Sequence, residues 1–347
     1  MKARALGRAD ATPATLEGRI ACTDVRDGDG KLAVRKGQTL DAGAARRLLD
    51  LAWSELHLLE LEPGDLHEEP AGARLSQAAA GDGVEVKGYS GGQWTLVAAA
   101  RGLLRVHARA LHEVNTQSGI SVFTLWDLQP VEPGEVVARA KVTPLAIPET
   151  TVKRAEAAAW SASGLVTVKR FRPSVVGAVT RESLDARQRA RFESALREKL
   201  DWLGSRLLGV RYSGGGAAAV AADIEALVAE GAEVLIAAGA SSLDPLDPVF
   251  LGIERAGGRM ERHGVPAHPG SLLFLARIGD RPVVGMPTCG MFSQATTFDL
   301  VLPRLLAGLP AGNAELAGLG HGGLISQDSA YRFPPYRAST ARGEIGE

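Results

Sequence analysis

The sequence predicts an α/β protein with a doubly wound, three-layer α/β/α domain in its C-terminal half and a β-rich N-terminal region. In the second half, short apolar runs of strand length alternate with longer runs of helical period. This alternation is typical of a mainly parallel sheet with helices on both faces. Residues 234–238 (VLIAA) are apolar throughout, as expected for a strand buried on both faces.

Individual elements of the second half follow from the same patterns. Apolar runs bounded by turn residues predict five strands, and segments with apolar residues at helical spacing predict four helices. The strands are at 174–180, 206–212, 234–238, 272–278 and 282–286, and the helices are at 185–203, 217–230, 249–256 and 292–306.

The first half has a different pattern. Asp41 is a typical N-cap before an amphipathic helix, and a strand is expected at 55–61. Residues 82–148 are short apolar segments broken by glycine and proline, which favours strands. With 347 residues the chain suits two or three domains. We expect an α+β segment at 1–80, a β-rich subdomain at 81–170, the α/β domain at 171–310 and a polar tail at 311–347, disordered from Ala338.

Composition limits the function classes. The 39 lysines and arginines almost balance the 40 aspartates and glutamates, so no global field attracts nucleic acid or an anionic membrane. No apolar run has the roughly 20 residues of a membrane helix, and the N-terminus lacks the apolar core of a signal peptide. The two cysteines lack metal-binding spacing. We therefore expect a cytoplasmic protein that captures any anion locally.

The first candidate site is the segment Gly239-Ala-Ser-Ser-Leu-Asp-Pro-Leu-Asp247, which joins a predicted strand to a predicted helix. Small residues let a phosphate approach the backbone, Ser241 and Ser242 add donors, and the helix start adds free N–H groups. Asp244 and Asp247 are candidate ligands for a divalent cation that bridges to a phosphate. The alternative is that Asp247 is only a helix cap and the serines only form a turn.

Two further segments have candidate residues. His263 and His268 lie in a proline-containing turn and could bind a metal or a phosphate, although a solvated or packed role is favoured without a third ligand. Residues 285–290 (GMPTCG) again join a strand to a helix, where Thr288 and free N–H groups suit an oxyanion or a pterin edge. Cys289 has no histidine adjacent in sequence, which disfavours a thiolate nucleophile.

The remaining candidates are weak. The Ser213-Gly214-Gly215-Gly216 turn lacks the lysine and the spacing of a phosphate loop, so a flexible connection is the favoured interpretation. His107, His112 and Glu113 are expected to be solvated positions of a β-rich stretch.

Residues 172–309 resemble the molybdopterin-binding domain of molybdopterin molybdotransferases, gephyrin-like proteins and molybdopterin adenylyltransferases. Those proteins share a G-G-x-S-x-G-x-x-D loop, an H-G-x-x-x-R-P-G-K-P turn and a G-L-P-G-N-P loop. The matching positions are Gly239, Ser242, Asp247, His263, Gly264, Pro269, Gly270, Gly285 and Pro287. The resemblance implies a pterin-phosphate site at the first loop, whose aspartate takes part in a metal-dependent step.

The chain also departs from those motifs. His268 and Ser271 replace an arginine and a lysine, and Thr180-Arg181-Glu182 keeps a trace of the usual T-G-[D/E]. Each lost cation removes charge-assisted hydrogen bonds of about 1.5–3 kcal/mol. These losses favour a binding role over full molybdotransferase activity.

The resemblance therefore predicts a molybdopterin- or molybdenum-cofactor-binding protein that acts in cofactor biosynthesis, maturation or delivery. Its ligand is a small pterin phosphate, Mg²⁺ is bound by Asp244 and Asp247, and Asp247 is the catalytic candidate. The cofactor-binding candidates are Gly239, Ser241, Ser242, His268, Pro269, Gly270, Gly285, Pro287 and Thr288. A molybdoenzyme or another biosynthesis protein is the implied partner, and a homo-oligomer is the implied assembly.

Two alternatives stay open. The first is a magnesium-dependent enzyme of the molybdotransferase type or one that processes an adenylylated pterin, with Asp247 and Mg²⁺ stabilising charge on the transferred group. The second is a scaffold that no longer binds the ligand and serves as an interaction module.

Overall fold

The structure, a computed structural model, describes residues 1–240, 243–292 and 296–336. The chain divides into two compact units. The first comprises Met1–Ala100, Arg105–Leu125 and Pro133–Val168, and the second comprises Arg101–Leu104, Trp126–Glu132 and the described residues from Lys169 onward. None of the helices in these ranges has both the length and the apolar character of a membrane-spanning segment. The four-segment division expected from the sequence stays a prediction.

Residues up to 170 form short strands and five helices within the described ranges. The strands are β1 (Lys2–Gly7), β2 (Ile20–Ala21), β3 (Val25–Arg26), β4 (Leu32–Val34), β5 (Glu55–Glu60), β6 (Asp65–His67), β7 (Val84–Ser90), β8 (Gln93–Ala98), β9 (Gly102–Val106), β10 (Ile120–Thr124), β11 (Pro130–Val131), β12 (Val136–Val142), β13 (Ala146–Pro148) and β14 (Val166–Arg170). The helices are α1 (Pro13–Leu16), α2 (Ala42–Leu49), α3 (Glu68–Ala79), α4 (Ala108–Asn115) and α5 (Glu149–Ser161).

The first unit contains two larger antiparallel sheets. One has the order β1-β5-β2 and packs Leu6 and Leu58 against Leu48 of α2. The other has the order β10-β12-β8-β7. Two smaller ladders pair β13 with β6 and β3 with β4. The N-terminal region is thus rich in strands, as predicted.

The β-rich stretch also contains two helices that the sequence analysis did not predict, α4 and α5. His107 occupies the N-cap position of α4, and His112 and Glu113 lie within α4, so these residues do not alternate along a strand as expected. The apolar periodicity that would indicate helix α4 in the sequence is short, because only Ala110 and Val114, one turn apart, are buried. His112 and Glu113 are exposed, in agreement with the solvated positions that were predicted.

The second unit contains a six-stranded sheet with helices on both faces. Its strands are β15 (Val175–Thr180), β16 (Arg206–Tyr212), β17 (Val234–Ala238), β18 (Gly258–His263), β19 (Phe274–Ile278) and β20 (Arg281–Met286). Its helices are α6 (Ala186–Trp202), α7 (Ala217–Ala229), α8 (Pro248–Arg255), α9 (Thr288–Phe292), α10 (Phe298–Leu306) and α11 (Asn313–Ala317). The sheet order is β16-β15-β17-β20-β19-β18. The first four strands and β18 run in one direction, and β19 runs antiparallel to its neighbours β20 and β18.

The side chains of β17 show why this domain has three layers. Leu235 and Ala237 pack among residues of α7 and α8, whereas Val234, Ile236 and Ala238 pack among residues of α6 and α10. Successive side chains of a strand point to opposite faces, so a strand covered on both faces has no polar position. The doubly wound α/β/α prediction for this half of the chain is confirmed.

Helix starts follow the local sequence. Asp185 forms a capping box with Gln188: its carboxylate accepts a hydrogen bond from the Gln188 amide at 2.8 Å, and its own amide donates to the Gln188 side chain at 2.9 Å. Asp247 caps α8 with a single hydrogen bond, which its carboxylate accepts from the Val249 amide at 2.8 Å, and Pro248 is at the first helical position. Both starts lie within two residues of the predicted ones.

Two features differ from the sequence-based elements. The helix expected at 292–306 begins later, at Phe298 of α10 with Thr297 at its N-cap, and the short helix α9 lies mostly in the segment expected as a loop. The Thr296 amide and hydroxyl donate to Asp299 at 3.1 and 3.0 Å. The edge strand β18 was not predicted, because its charged residues hide the apolar alternation. The disorder predicted from Ala338 falls outside the described residues.

A buried ion pair joins α6 to α10 on one face of the sheet. The Lys199 ammonium donates to the Asp299 carboxylate, and their side chains are 4% and 0% exposed. Burial raises the pKa of Asp299, and Lys199 opposes that rise. The Lys199 ammonium also lies 4.5 Å from the centre of the Tyr336 ring. Each charge therefore depends on its partner for stabilisation.

We predict that Lys199→Met lowers the free energy of unfolding by about 3–5 kcal/mol, because it leaves Asp299 buried without its counter-charge. Arg197→Met is the matched control, since Arg197 lies on the same helix and pairs with Glu193 at the surface. The control should cost less than about 1 kcal/mol. Urea denaturation measures both values, and equal losses in the two variants would contradict the role assigned to the buried pair.

Candidate functional site

The candidate site lies where four parallel strands end at one edge of the sheet. Thr180 of β15 pairs with Tyr212 of β16 and with Ala238 of β17, and Ala238 pairs with Met286 of β20. The strands therefore end at the same level, and the four loops that follow start side by side. In open α/β sheets, ligands bind at the carboxyl ends of the strands.

Glu182 connects three of these loops, although sequence analysis did not select it as a site residue. A Cβ placed on Gly239 would lie 2.3 Å from Glu182 Cγ, so the Glu182 side chain lies directly on the Gly239 backbone. The Thr288 hydroxyl donates a hydrogen bond to Glu182 Oε1 at 3.0 Å. The Glu182 carboxylate thus extends from the end of β15 across the loop after β17 to the loop after β20. The only sequence signal was its place in Thr180-Arg181-Glu182.

Three features fix the conformation and the identity of Gly239. Its φ is +76°, a conformation that favours glycine, and its amide donates to the Met286 carbonyl at 2.9 Å. A side chain at this position would also displace Glu182. The sequence-based selection of Gly239 therefore coincides with a close backbone approach at the sheet edge.

Arg181 is directed to the opposite side of the same loop. Its Nε donates to the Gly215 carbonyl at 3.2 Å, in the turn that follows β16, and the Arg181 side chain is exposed. The Ser213 amide of that turn donates to the Thr180 carbonyl at 2.9 Å. Successive residues of one loop thus place a guanidinium on the β16 side and a carboxylate on the β17 and β20 side.

The Ser213-Gly216 turn leads into α7 without a side-chain cap. Gly216 occupies the N-cap position, and a Cβ on Gly214 or Gly216 would meet nothing within 4 Å. The Ser213 hydroxyl is buried and has no hydrogen-bond partner within the described part of the chain. The first N–H groups of a helix without a capping side chain remain donors for water or a ligand.

Tyr212, at the end of β16, is held as a neutral phenol. Its hydroxyl donates to Glu193 at 3.1 Å, and the Arg189 guanidinium lies 4.3 Å from the centre of its ring. Burial and the Glu193 carboxylate together raise the pKa of Tyr212 to about 12. Tyr212 therefore stays protonated at neutral pH and positions α6 against the sheet edge.

The two candidate metal ligands bind backbone amides. Asp247 Oδ1 accepts from the Val249 amide at 2.8 Å as the cap of α8, and Asp244 Oδ1 accepts from the Leu246 amide at 2.9 Å. Over residues 1–240, 243–292 and 296–336 the structure contains no group of three or more His, Cys, Asp or Glu side chains arranged for a metal ion. Ser241 and Ser242 lie outside the described residues. The metal and phosphate roles assigned to this loop stay predictions.

The turn at 268–270 is bound to the start of α10. The Thr297 hydroxyl donates to the carbonyls of Ala267 and Pro269, both at 3.0 Å, and a Cβ on Gly270 would lie 2.8 Å from the Thr297 amide nitrogen. The His268 ring is exposed, and its backbone amide donates to Gly323 at 2.7 Å. Packing against Thr297 therefore explains the glycine at position 270 without any ligand.

The third loop combines a packing glycine with an exposed hydroxyl. Gly285 lies within β20, and a Cβ there would be 2.2 Å from Phe274 Cδ1, so the neighbouring strand fills that space. The Pro287 carbonyl accepts from the Gly290 amide at 2.7 Å in the first turn of α9. Thr288 is exposed and contacts Glu182. Of these residues, Thr288 is the one whose side chain the structure brings to the other loops.

Comparison with known proteins adds little evidence about the function of this site. No protein-family model matches the chain, and no curated protein matches it. The chain is similar to the molybdopterin biosynthesis protein MoeA from Pyrococcus horikosii at 15% identity and a TM-score of 0.30, over 88% of this chain and 75% of that chain. It is also similar to MogA at 16% identity and a TM-score of 0.24, over 35% of this chain and 86% of that chain. Because both TM-scores are low, the function must be argued from the chain's own residues.

We predict that Gly239→Ala destabilises the protein more than Gly257→Ala does. Both glycines have a φ near +75°, but Gly257 has open space at its Cβ position whereas Gly239 lies under Glu182. The control should cost about 1–2 kcal/mol for the left-handed conformation, and Gly239→Ala about 1–3 kcal/mol more for the overlap. The measurement is the free energy of unfolding in urea.

A double variant tests the cause. In the Glu182→Ala background the overlap is absent, so Gly239→Ala should cost the same as Gly257→Ala. If the excess cost persists without Glu182, the contact between Glu182 and Gly239 is not its origin.

Proposed function

We propose that this chain binds molybdopterin, or a nucleotide or molybdenum form of it, at the carboxyl edge of the six-stranded sheet, and that it acts in the biosynthesis, maturation or delivery of the molybdenum cofactor. One observation carries the proposal. The loops at 239–247 and 287–290, which carry the motif resemblance, start on neighbouring strands, and Glu182 contacts both. Motif positions that are 40 residues or more apart in sequence thus form one surface.

The polarity of this edge fits a pterin phosphate. A pterin ring presents N–H donors at one end of the ligand, and the phosphate monoester is at the other end. Glu182 and Thr288 supply a carboxylate and a hydroxyl on the β17 and β20 side, where they can accept from ring N–H groups. Arg181 and the uncapped start of α7 supply donors on the β16 side, where a phosphate can bind.

Arg181 also accounts for part of the charge that the motif comparison found missing. His268 and Ser271 occupy the positions of an arginine and a lysine in the resembling proteins. Arg181 occupies the position of a glycine in the T-G-[D/E] pattern, and its guanidinium lies at the same sheet edge. In the proposal, this arginine replaces a lost cation from a different loop.

A magnesium ion fits this site less well. Asp244 and Asp247 already accept hydrogen bonds from backbone amides, and the described residues offer no third carboxylate or histidine beside them. Water would have to complete the coordination, because the proposal places the phosphate of the ligand on the β16 side. Asp247 as a catalytic residue, a molybdoenzyme as acceptor and a homo-oligomer remain predictions, and none is needed for the binding proposal.

We predict that Arg181→Gln weakens the binding of molybdopterin about 10- to 150-fold, which corresponds to the loss of about 1.5–3 kcal/mol from a charge-assisted hydrogen bond. Glu182→Gln should also weaken binding, because the carboxylate is lost at the ring end. Arg259→Gln is the control, since Arg259 is an exposed residue of β18 at the far edge of the sheet. Anaerobic calorimetric titration, with and without Mg²⁺, measures the affinities.

Asp247→Ala, tested by the same titrations and by a turnover assay, separates binding from catalysis. A carrier shows no turnover in the wild type, whereas a transferase loses turnover in this variant while it retains binding. Absence of binding by the wild-type chain, or equal affinities for Arg181→Gln and Arg259→Gln, would contradict the proposed site.

A further inference from the structure

A cavity lies in the second unit, separate from the residues of the proposed pterin site. It has a volume of about 260 Å³ and is bordered by α10 and by two separate segments, residues 126–130 and residues 319–332. All of its lining residues belong to the second unit. The described residues of the loops at 181–182, 213–216, 239–247 and 287–290 do not border it.

One part of the cavity wall is apolar. Leu128, Leu300, Pro303 and Leu319 line it, and each is buried or half-buried. Pockets for drug-sized ligands are usually about 300–1,000 Å³. A cavity just below that range accepts a small organic molecule and excludes a large one.

An aromatic pair forms part of the lining. The side chains of Trp126 and Tyr331 stack with ring centres 6.4 Å apart and an angle of 28° between their planes. Trp126 is 69% exposed, which is unusual for the largest apolar side chain. A flat ligand that covers this ring removes apolar surface from water and adds stacking contacts.

The charges around the cavity favour an anion. His321, Arg304 and Arg332 line it, together with the carboxylates of Asp127 and Asp299. The Asp299 charge is balanced by Lys199. Arg332 has five N–H donors, and the structure assigns one of its nitrogens to the Gly322 carbonyl. The basic groups near 321–332 can therefore hold a carboxylate against the apolar wall.

From this combination we infer that the cavity beside α10 binds a small, flat organic anion, with its ring against Trp126 and the apolar wall and its carboxylate at Arg332. Leu300 and Leu319 limit the size of the ring system, and Arg332 selects the charge. The ligand class is an aromatic or alicyclic carboxylate.

The test uses 2-naphthoate as the probe and 2-naphthamide as its uncharged counterpart, each titrated into the full chain by calorimetry. The wild type should bind naphthoate saturably and more tightly than naphthamide. Arg332→Gln should weaken naphthoate about tenfold or more and leave naphthamide unchanged, since one charge-assisted bond is lost. Leu300→Trp should abolish the binding of both by filling the cavity, and Arg259→Gln should change neither.

Circular dichroism checks that each variant is folded, and Leu319→Trp replaces Leu300→Trp if that variant unfolds. The inference is overturned if the wild type shows no saturable binding of naphthoate. It is also overturned if Arg332→Gln binds naphthoate as tightly as the wild type, or if the folded tryptophan variant still binds both probes.

Discussion

The parallel register of β16, β15, β17 and β20 is the constraint on which the candidate site depends. Thr180, Tyr212, Ala238 and Met286 end their strands at one level because each is paired with its neighbour in the sheet. A one-residue slip of β15 would exchange its two faces and move Glu182 away from Gly239. The contacts of Glu182 with Gly239 and Thr288 are therefore consequences of strand pairing, not of local sequence.

This register is held by the two helical layers. The α6 and α10 side of the sheet contains the buried pair of Lys199 and Asp299 beside an apolar cluster, and a second apolar cluster lies on the α7 and α8 side. Asp299 also accepts two hydrogen bonds from Thr296, so the residue that pairs with α6 also fixes the start of α10. Thr297, which follows Thr296 in the chain, donates hydrogen bonds to two carbonyls of the 267–270 turn. Packing beneath the sheet thus positions a loop that resembles a ligand-binding motif.

Much of this unit could be predicted from the sequence because its signals are local. A fully apolar run such as Val234–Ala238, or a cap such as Asp185 with Gln188, depends on neighbours in the chain. Gly239 and Thr288 were selected for the same reason, since each follows a strand. Helix α4 and strand β18 were missed because the first buries few residues and the second is an edge strand with charged positions.

The residues that long-range contacts define could not be predicted. Glu182 contacts a residue 57 positions away and another 106 positions away, so its sequence neighbours show only that it follows a strand. Arg181 and Glu182 contact different loops because β16 flanks one side of β15 and β17 flanks the other. Gly285 and Gly270 illustrate the converse: each matches a motif, but Phe274 and Thr297 respectively explain why no side chain fits there.

The most direct test of the central claim is a map of amide chemical shifts in the ¹⁵N-labelled chain during an anaerobic titration with molybdopterin. A ligand at the carboxyl edge predicts the largest changes at residues 181–182, 213–217, 239–247 and 287–290, with none around the cavity beside α10. Changes confined to that cavity or to the first unit, or no changes at saturating ligand, would contradict the assignment of this edge as the binding site.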